Sequence, residues 1–416
     1  MTSVKVVDAS TGTLRQTIEL PNVHELAFSP KGSYLNTWER PWKNEEDGQA
    51  GKNLKIWSMS SGELVQEFVQ KSQNGWSLQY SQDEKICCRN VTNEVHIYES
   101  ATIQNGTKPP QNTFDIYNIG VWKKLRVEGL TSFSLSPGTN PSIAVFLPER
   151  KGSPASSQIF SLSNLDKPTT QKQFYKADKI SFLWSLNGRS LLAHTTTDVD
   201  KSNKSYYGES NLYLLHTTGS NGVRVDLDKE GPVHDVAWGS ETEFGVVYGY
   251  MPAKTMMFDI RGNAVQTIST APRNTIKFSQ GAKFVLVAGF GNLAGTMDIF
   301  TKKGKQWERV TTMEASNASV CEWSPDGAFI LTATTSPRLR VDNGVRIWWV
   351  GGKLVYKEEM NELYQVSHVS FIGSNGTGYM ASNPIFNNQS RSTGTTTNPL
   401  LRINSIRSKR KHLNPH

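Results

Sequence analysis

The sequence predicts an all-β chain, a WD40-type β-propeller, from a recurring phrase, its spacing and its alternation. Each copy runs alternating apolar residues into an aromatic or large apolar anchor, then a turn, then a second apolar run. Clear copies end at Phe28, Trp238 and Trp323, the first and last followed by Ser29-Pro30 and Ser324-Pro325. Looser copies centre on Tyr80, Leu135, Trp184, Phe278 and Phe371. Successive anchors lie about 40 to 55 residues apart, the period of a blade of short strands. Residues within each run alternate apolar and polar, as in a half-buried strand, and no long stretch carries the 3.6-residue period of a helix.

In chain order, residues 4–12 read as an outer strand and turn ahead of the first anchor. Such a strand suits the last, incomplete blade, because joining it removes an exposed edge. After each anchor, Pro, Gly, Asn or Asp supplies the backbone conformations of a tight turn. A second strand follows, as in residues 284–288 and 329–333. The third ends on a large apolar pair, as in Ile56-Trp57, Ile97-Tyr98, Ile299-Phe300 and Ile347-Trp348. Short turns such as Ser60-Ser61-Gly62 and Arg261-Gly262-Asn263 lead to a fourth, outer strand. Four strands per unit make a WD-type blade, and the eight anchors count as eight repeat units. One sheet cannot bury both its faces, so neighbouring blades share their cores. The anchors Trp184, Trp238 and Trp323 are expected to be buried between them. Residues 1–383 are assigned to the propeller. From 384 the composition shifts to Asn, Ser, Thr and Arg without a repeat, which reads as a flexible basic tail over 384–416.

Lys and Arg number 45 against 37 Asp and Glu, a formal net charge of +8. No acidic residue follows Glu362, whereas Arg391, Arg402, Arg407, Lys409, Arg410 and Lys411 do, so residues 1–362 carry only about +2. The basic balance belongs to the tail, and the ring is nearly neutral. Cys87 and Cys88 are adjacent, so on a strand they face opposite ways and make poor disulfide partners for each other, and Cys321 leaves an odd count. With no signal-like segment and no apolar run of membrane-spanning length, a reduced, cytoplasmic chain without a membrane partner is expected.

Residue patterns for catalysis are absent. No Gly-x-Ser-x-Gly string offers a nucleophile elbow. His24, His96, His194, His216, His234 and His368 are scattered without metal-ligand spacing. His24 and His234 each stand four residues before an anchor, which points to a repeated structural role. The glycines of residues 288–295 miss the dinucleotide spacing and precede a strand, so they read as a hairpin turn. Asp198 and Asp200, followed by Lys201 and Lys204, read as a solvated loop rather than a cation site. No catalytic, cofactor-binding or metal-binding residue and no small-molecule substrate is assigned.

Insertions are more informative. Residues 39–52, 198–209 and 336–344 all lengthen the connection between second and third strands, which places them on one face of a ring. Aromatic rings interleaved with cations suit RNA, because bases stack on the rings while phosphates meet the charges. The candidate RNA- or ribosome-binding residues are Trp42, Lys43, Tyr206, Tyr207, Arg338 and Arg340, together with Arg402, Arg407, Lys409, Arg410 and Lys411 of the tail. The competing reading is that the rings only brace the loops.

Several strings resemble the eukaryotic translation initiation factor 2A family. They are Cys88-Arg89-Asn90-Val91-Thr92-Asn93-Glu94-Val95-His96, Thr197-Asp198-Val199-Asp200-Lys201 with Ser205-Tyr206-Tyr207-Gly208-Glu209, and Val247-Tyr248-Gly249-Tyr250-Met251-Pro252-Ala253-Lys254. Ala288-Gly289-Phe290-Gly291-Asn292-Leu293 and Pro337-Arg338-Leu339-Arg340-Val341-Asp342-Asn343-Gly344 complete the set. The resemblance implies a cytoplasmic, non-enzymatic factor that binds the small (40S) ribosomal subunit and assists delivery of initiator methionyl-tRNA without binding GTP. It also implies mRNA and other initiation factors as partners, and a nine-bladed ring. Against that pattern, the chain is expected to begin inside the first blade's outer strand and to stop short of the family's C-terminal region. A generic WD-repeat protein scaffold with no RNA role is the alternative, and it suits the near-neutral ring.

Overall fold

The structure, a computed structural model, describes residues 3–7, 13–44, 47–100, 121–138, 140–150, 152–198, 208–219, 222–336, 338–363 and 366. Strands β1 (Val4–Val7) and β2 (Leu14–Ile18) pair in a two-stranded sheet, and seven four-stranded sheets follow. Four of these lie in one compact unit, Ile18–Val225 with Thr2–Val4. They are β3–β6 (Val23–Phe28, Tyr34–Glu39, Leu54–Ser58, Leu64–Phe68) and β7–β10 (Gln79–Tyr80, Ile86–Val91, Glu94–Glu99, Val121–Arg126). Next come β11–β14 (Ser132–Leu135, Ser142–Leu147, Ala155–Ser161, Thr170–Phe174) and β15–β18 (Lys179–Trp184, Ser190–Thr196, Ser210–His216, Val223–Arg224). The other unit, Asp226–His416 with Lys5–Thr17, holds three sheets. These are β19–β22 (Val233–Trp238, Glu243–Tyr248, Ala253–Asp259, Ala264–Ala271), β23–β26 (Thr275–Phe278, Phe284–Ala288, Thr296–Lys303, Gln306–Glu314) and β27–β30 (Val320–Trp323, Phe329–Thr334, Gly344–Trp349, Leu354–Glu359). Each sheet is a meander whose strands keep sequence order. Gln280–Ala282 forms a three-residue helical turn, and among the described residues no helix is long and apolar enough to cross a membrane.

Seven of the eight anchors end the first strand of a sheet, at Phe28, Tyr80, Leu135, Trp184, Trp238, Phe278 and Trp323. The eighth, Phe371, lies outside the described residues, as do the tail and the segment that would settle how residues 4–12 complete a blade. The serine after the anchor has a defined task. Its Oγ accepts the backbone N–H that opens the second strand, from Tyr34 to Ser29 at 3.0 Å, Ser190 to Ser185 at 3.0 Å and Phe329 to Ser324 at 2.9 Å. This side-chain bond closes the first hairpin and satisfies a buried donor.

Burial corrects one expectation. Trp184, Trp238 and Trp323 are half-buried and Phe28 is largely exposed, because the first strand is an edge strand covered by fewer neighbours. The closed core sits on the second and third strands, where Leu191, Phe244, Phe258, Val285 and Ile299 are fully buried. Two of the tryptophans act instead as wedges with polar tips. Trp184 donates Nε1–H to Ser134 Oγ at 3.1 Å and Trp323 donates to the Lys277 carbonyl at 3.0 Å, each reaching the first strand of the preceding sheet.

Cys87 and Cys88 on β8 point to opposite faces, as the alternation requires. Cys87 joins a core with Tyr34, Ile56 and Tyr98, and Cys88 one with Val95, Leu135 and Ile143. Both are free, as is Cys321. His24 and His234 also share a role. Pairing of β3 with β4 skips from Val23 to Glu25, and pairing of β19 with β20 skips from Val233 to Asp235, so both histidines occupy β-bulges.

Candidate functional site

Several connections between second and third strands are tied down by hydrogen bonds in each unit. In the sheet β3–β6, the described residues of the β4–β5 connection, 40–44 and 47–53, fold back on each other, with Lys43 bridging Ala50 antiparallel. Gly51 N–H donates to the Trp42 carbonyl at 2.9 Å, and Asn44 N–H donates to the Gln49 carbonyl at 2.9 Å. Trp42 lies over Gly51, where a Cβ would fall 2.2 Å from Cε2 and 2.4 Å from Cδ2 and Cζ2 of the indole. The residue is nevertheless 48% exposed. Trp42 therefore braces its own loop with one face and presents the rest outward. Tyr206 and Tyr207, in the matching connection of β15–β18, lie outside the described residues, as do Arg402, Arg407, Lys409, Arg410 and Lys411.

In the other unit three successive sheets contribute the same connection. Between β28 and β29, Asn343 is buried and organises the loop. Its Nδ2 donates to the carbonyls of Leu339 at 2.7 Å and Val341 at 3.3 Å, and its Oδ1 accepts Leu363 N–H at 3.0 Å. Arg338 and Arg340 are exposed on this pinned loop. The Arg338 guanidinium crosses to the β24–β25 turn, where a Cβ on Gly291 would meet Nη2 at 2.8 Å. That turn is held by Asn274, which donates to the Phe290 carbonyl and accepts its N–H, both at 2.9 Å. The sequence expectation for Arg338 and Arg340 thus falls on accessible, firmly mounted cations.

Residues missed by the candidate set stand on the same edge of this unit. Tyr250 and Met251, 45% and 42% exposed, top the β20–β21 turn. Gly249 there has φ +89, a left-handed conformation suited to glycine, and its N–H donates to the Pro232 carbonyl. His234 and Lys229 bond the Gly249 and Pro252 carbonyls. Beside them Asp228 accepts from the Lys254 ammonium at 2.5 Å and from the Tyr248 hydroxyl at 2.6 Å. Those two donors, the lysine first, hold its carboxyl below the usual 3.8. A depressed carboxylate adds stability above its ordinary pKa and loses it as pH falls through the folded value, so this contribution disappears only in acid. Tyr248→Phe should raise the Asp228 midpoint, read by carboxyl-carbon NMR titration, and an unmoved midpoint would show that the tyrosine does not stabilise the carboxylate.

A groove of about 610 Å³ along β19, β23 and β27 is where reactive groups would gather. Its Asp235 is instead a staple: Oδ1 accepts Val236 N–H and Oδ2 accepts Ile276 N–H of the next sheet, both at 2.9 Å. Burial pushes the Asp235 carboxyl up, with those two N–H donors opposing. Burial likewise pushes the Cys321 thiol up to about 12, which keeps it protonated. Among the described residues no group of three His, Cys, Asp or Glu could hold a metal ion, and Asp198 forms an exposed ion pair with Lys179 at 2.6 Å.

Comparison with known proteins agrees with these loops. The family model described as Eukaryotic translation initiation factor eIF2A matches residues 172–366. Eukaryotic translation initiation factor 2A of Schizosaccharomyces pombe is 51% identical over 365 residues, covering 88% of this chain and 61% of that protein. Its Saccharomyces cerevisiae namesake is 40% identical over 369 residues, covering 84% of this chain and 56% of that protein. The chain therefore spans less than two thirds of the length of these relatives. A solved structure titled as that of the eukaryotic initiation factor aligns with TM-score 0.77 at 47% identity, covering 88% of this chain and 85% of that one. Four-stranded meanders in tandem, this structural match and these relatives together show a WD40-type β-propeller chain that belongs to the eukaryotic translation initiation factor 2A family.

Proposed function

We propose that this chain is a non-catalytic, cytoplasmic initiation factor whose propeller, residues 1–383, meets the small (40S) ribosomal subunit through its second-to-third-strand loops. In this reading it assists delivery of initiator methionyl-tRNA without binding GTP, and residues 384–416 serve as a basic arm toward mRNA, tRNA or other initiation factors. The observation that carries the proposal is the mounting of Arg338 and Arg340. Two exposed guanidinium groups stand on a loop pinned by the buried Asn343, in a stretch that belongs to the family-specific strings. A pre-ordered cation meets a phosphate without the entropy cost of ordering a mobile arm, and Arg presents a planar fork of donors.

Sedimentation of the chain with 40S particles tests this, with and without initiator tRNA. Log affinity should fall with log salt, and the double charge reversal R338E/R340E should flatten that slope by about 0.7–0.9 for each phosphate no longer neutralised. Binding indifferent to salt between roughly 50 and 200 mM would overturn the electrostatic reading. A chain of residues 1–383 that sediments like the intact one would assign the attachment to the loops rather than the arm. Capture of proteins with neither ribosome nor RNA would favour the scaffold alternative.

A further inference from the structure

Trp42 offers a surface that its loop does not use up. The fused bond of an indole joins Cδ2 to Cε2, and these atoms with Cζ2 are the ones a Cβ on Gly51 would strike. Close approach to the middle of the bicycle from outside its plane means that Gly51 lies under one ring face. Gly51 is buried while Trp42 remains 48% exposed, so the opposite face looks outward. The support is stiff, because the Lys43–Ala50 bridge and the bond from Gly51 N–H to the Trp42 carbonyl fix the backbone on both sides of the ring. Arg40, Lys43 and Lys52 are exposed nearby in sequence. Lys52 is engaged by Glu67 at 3.0 Å, and the hairpin sequence also carries the acidic residues Glu45, Glu46 and Asp47, so Arg40 and Lys43, ahead of that acidic run, are the cations left to meet phosphates.

Resting on the RNA reading above, we propose that Trp42 is a one-faced stacking platform for an unpaired nucleobase of single-stranded RNA, with Arg40 and Lys43 beside the adjoining phosphates. The chemistry favours an unpaired base because a flat, rigid π-face matches any free base, whereas bases within an A-form duplex are already stacked on both sides. Gly51 is then a positioning residue: any side chain there would lift the ring from its seat.

The test is fluorescence anisotropy of a labelled oligoadenylate of about eight nucleotides, against an RNA duplex of similar length, using the full chain. W42A should weaken oligoadenylate binding about tenfold, within the range for one lost base stack, and W42Y should retain part of it. G51A keeps the indole but displaces it and should fall close to W42A. Duplex affinity should stay the same in all three. Trp122 is the control, since its ring already carries the Lys123 ammonium at 4.5 Å from the centroid, and W122A should match the unaltered chain. Unchanged oligoadenylate binding by both W42A and G51A, equal losses in W122A, or losses that extend to the duplex would overturn the assignment. If R338E/R340E loses 40S sedimentation while W42A keeps oligoadenylate affinity, the loop reading survives and the platform falls. If the unaltered chain binds neither 40S particles nor oligoadenylate, both fall. Matching thermal midpoints of W42A, G51A and the unaltered chain keep the comparison free of unfolding.

Discussion

Replacing Arg273 by methionine is expected to remove about 3–5 kcal/mol of folding free energy, read as a lower urea midpoint. Asp298 is buried on β25, and one charged partner supplies two of the three hydrogen bonds to its carboxylate. Arg273 donates to Oδ2 through Nε at 2.9 Å and through Nη2 at 2.7 Å, while Thr312 Oγ donates to Oδ1 at 2.7 Å. Side-chain exposures of 9% for Arg273 and 4% for Asp298 leave water little access to take over. Without the guanidinium, the Asp298 carboxyl is left in a low-dielectric interior with one hydroxyl donor, and its uncompensated desolvation dominates the loss. The double variant R273M/D298M should recover most of the midpoint, because removing both charges removes the penalty as well as the attraction. A double variant no better than R273M would show that the pair shapes the β22–β23 connection rather than neutralising a charge.

Phe244→Ala is the second large effect, expected at about 3–5 kcal/mol. Phe244 is fully buried on β20, stacked on Phe258 with centroids 5.4 Å apart and planes at 11°, and edge-on to Trp238 at 5.3 Å. Its removal leaves a cavity bounded by paired strands on both sides, which cannot close without breaking ladder bonds. Trp238→Ala deletes a larger side chain but should cost less, since Trp238 is half-buried on the edge strand β19 and water can fill part of the space. Urea midpoints of the two variants decide the order. A greater loss from Trp238→Ala would restore the anchors as the main core residues.

The contrast between Phe244 and Trp238 marks how far the residue pattern reaches. Alternation places the strands well: Leu54–Ser58, Glu94–Glu99 and Gly344–Trp349 enclose the predicted third-strand segments, and the glycines after Ala288 form the predicted hairpin turn. Adjacent Cys87 and Cys88 take opposite faces by their spacing alone, and the two cores they enter agree. Depth of burial is another matter. Period-two alternation says which face a residue takes, not whether its strand is at the edge or the middle of a sheet, so it sets the tryptophans too deep.

The loops divide in the same way. Arg338, Arg340, Trp42 and Lys43 can be picked out because insertions stand out against a repeat. What holds them cannot, since the restraints come from residues whose types carry no signal: Asn343 for the arginine loop, Asn274 for the neighbouring turn and Gly51 beneath Trp42. Tyr250 and Met251 belong to one of the family-like strings, yet only the clamps at Gly249 and Pro252 show them as a presented pair.

Strand positions, the tandem meander and the family likeness are thus encoded locally, by residue periods that one sheet is enough to satisfy. Edge exposure, the Arg273–Asp298 pair and the seat of the indole arise from contacts between segments far enough apart that no period links them. Free energy of that kind depends on distance, orientation and exclusion of water, and those quantities exist once the sheets have packed.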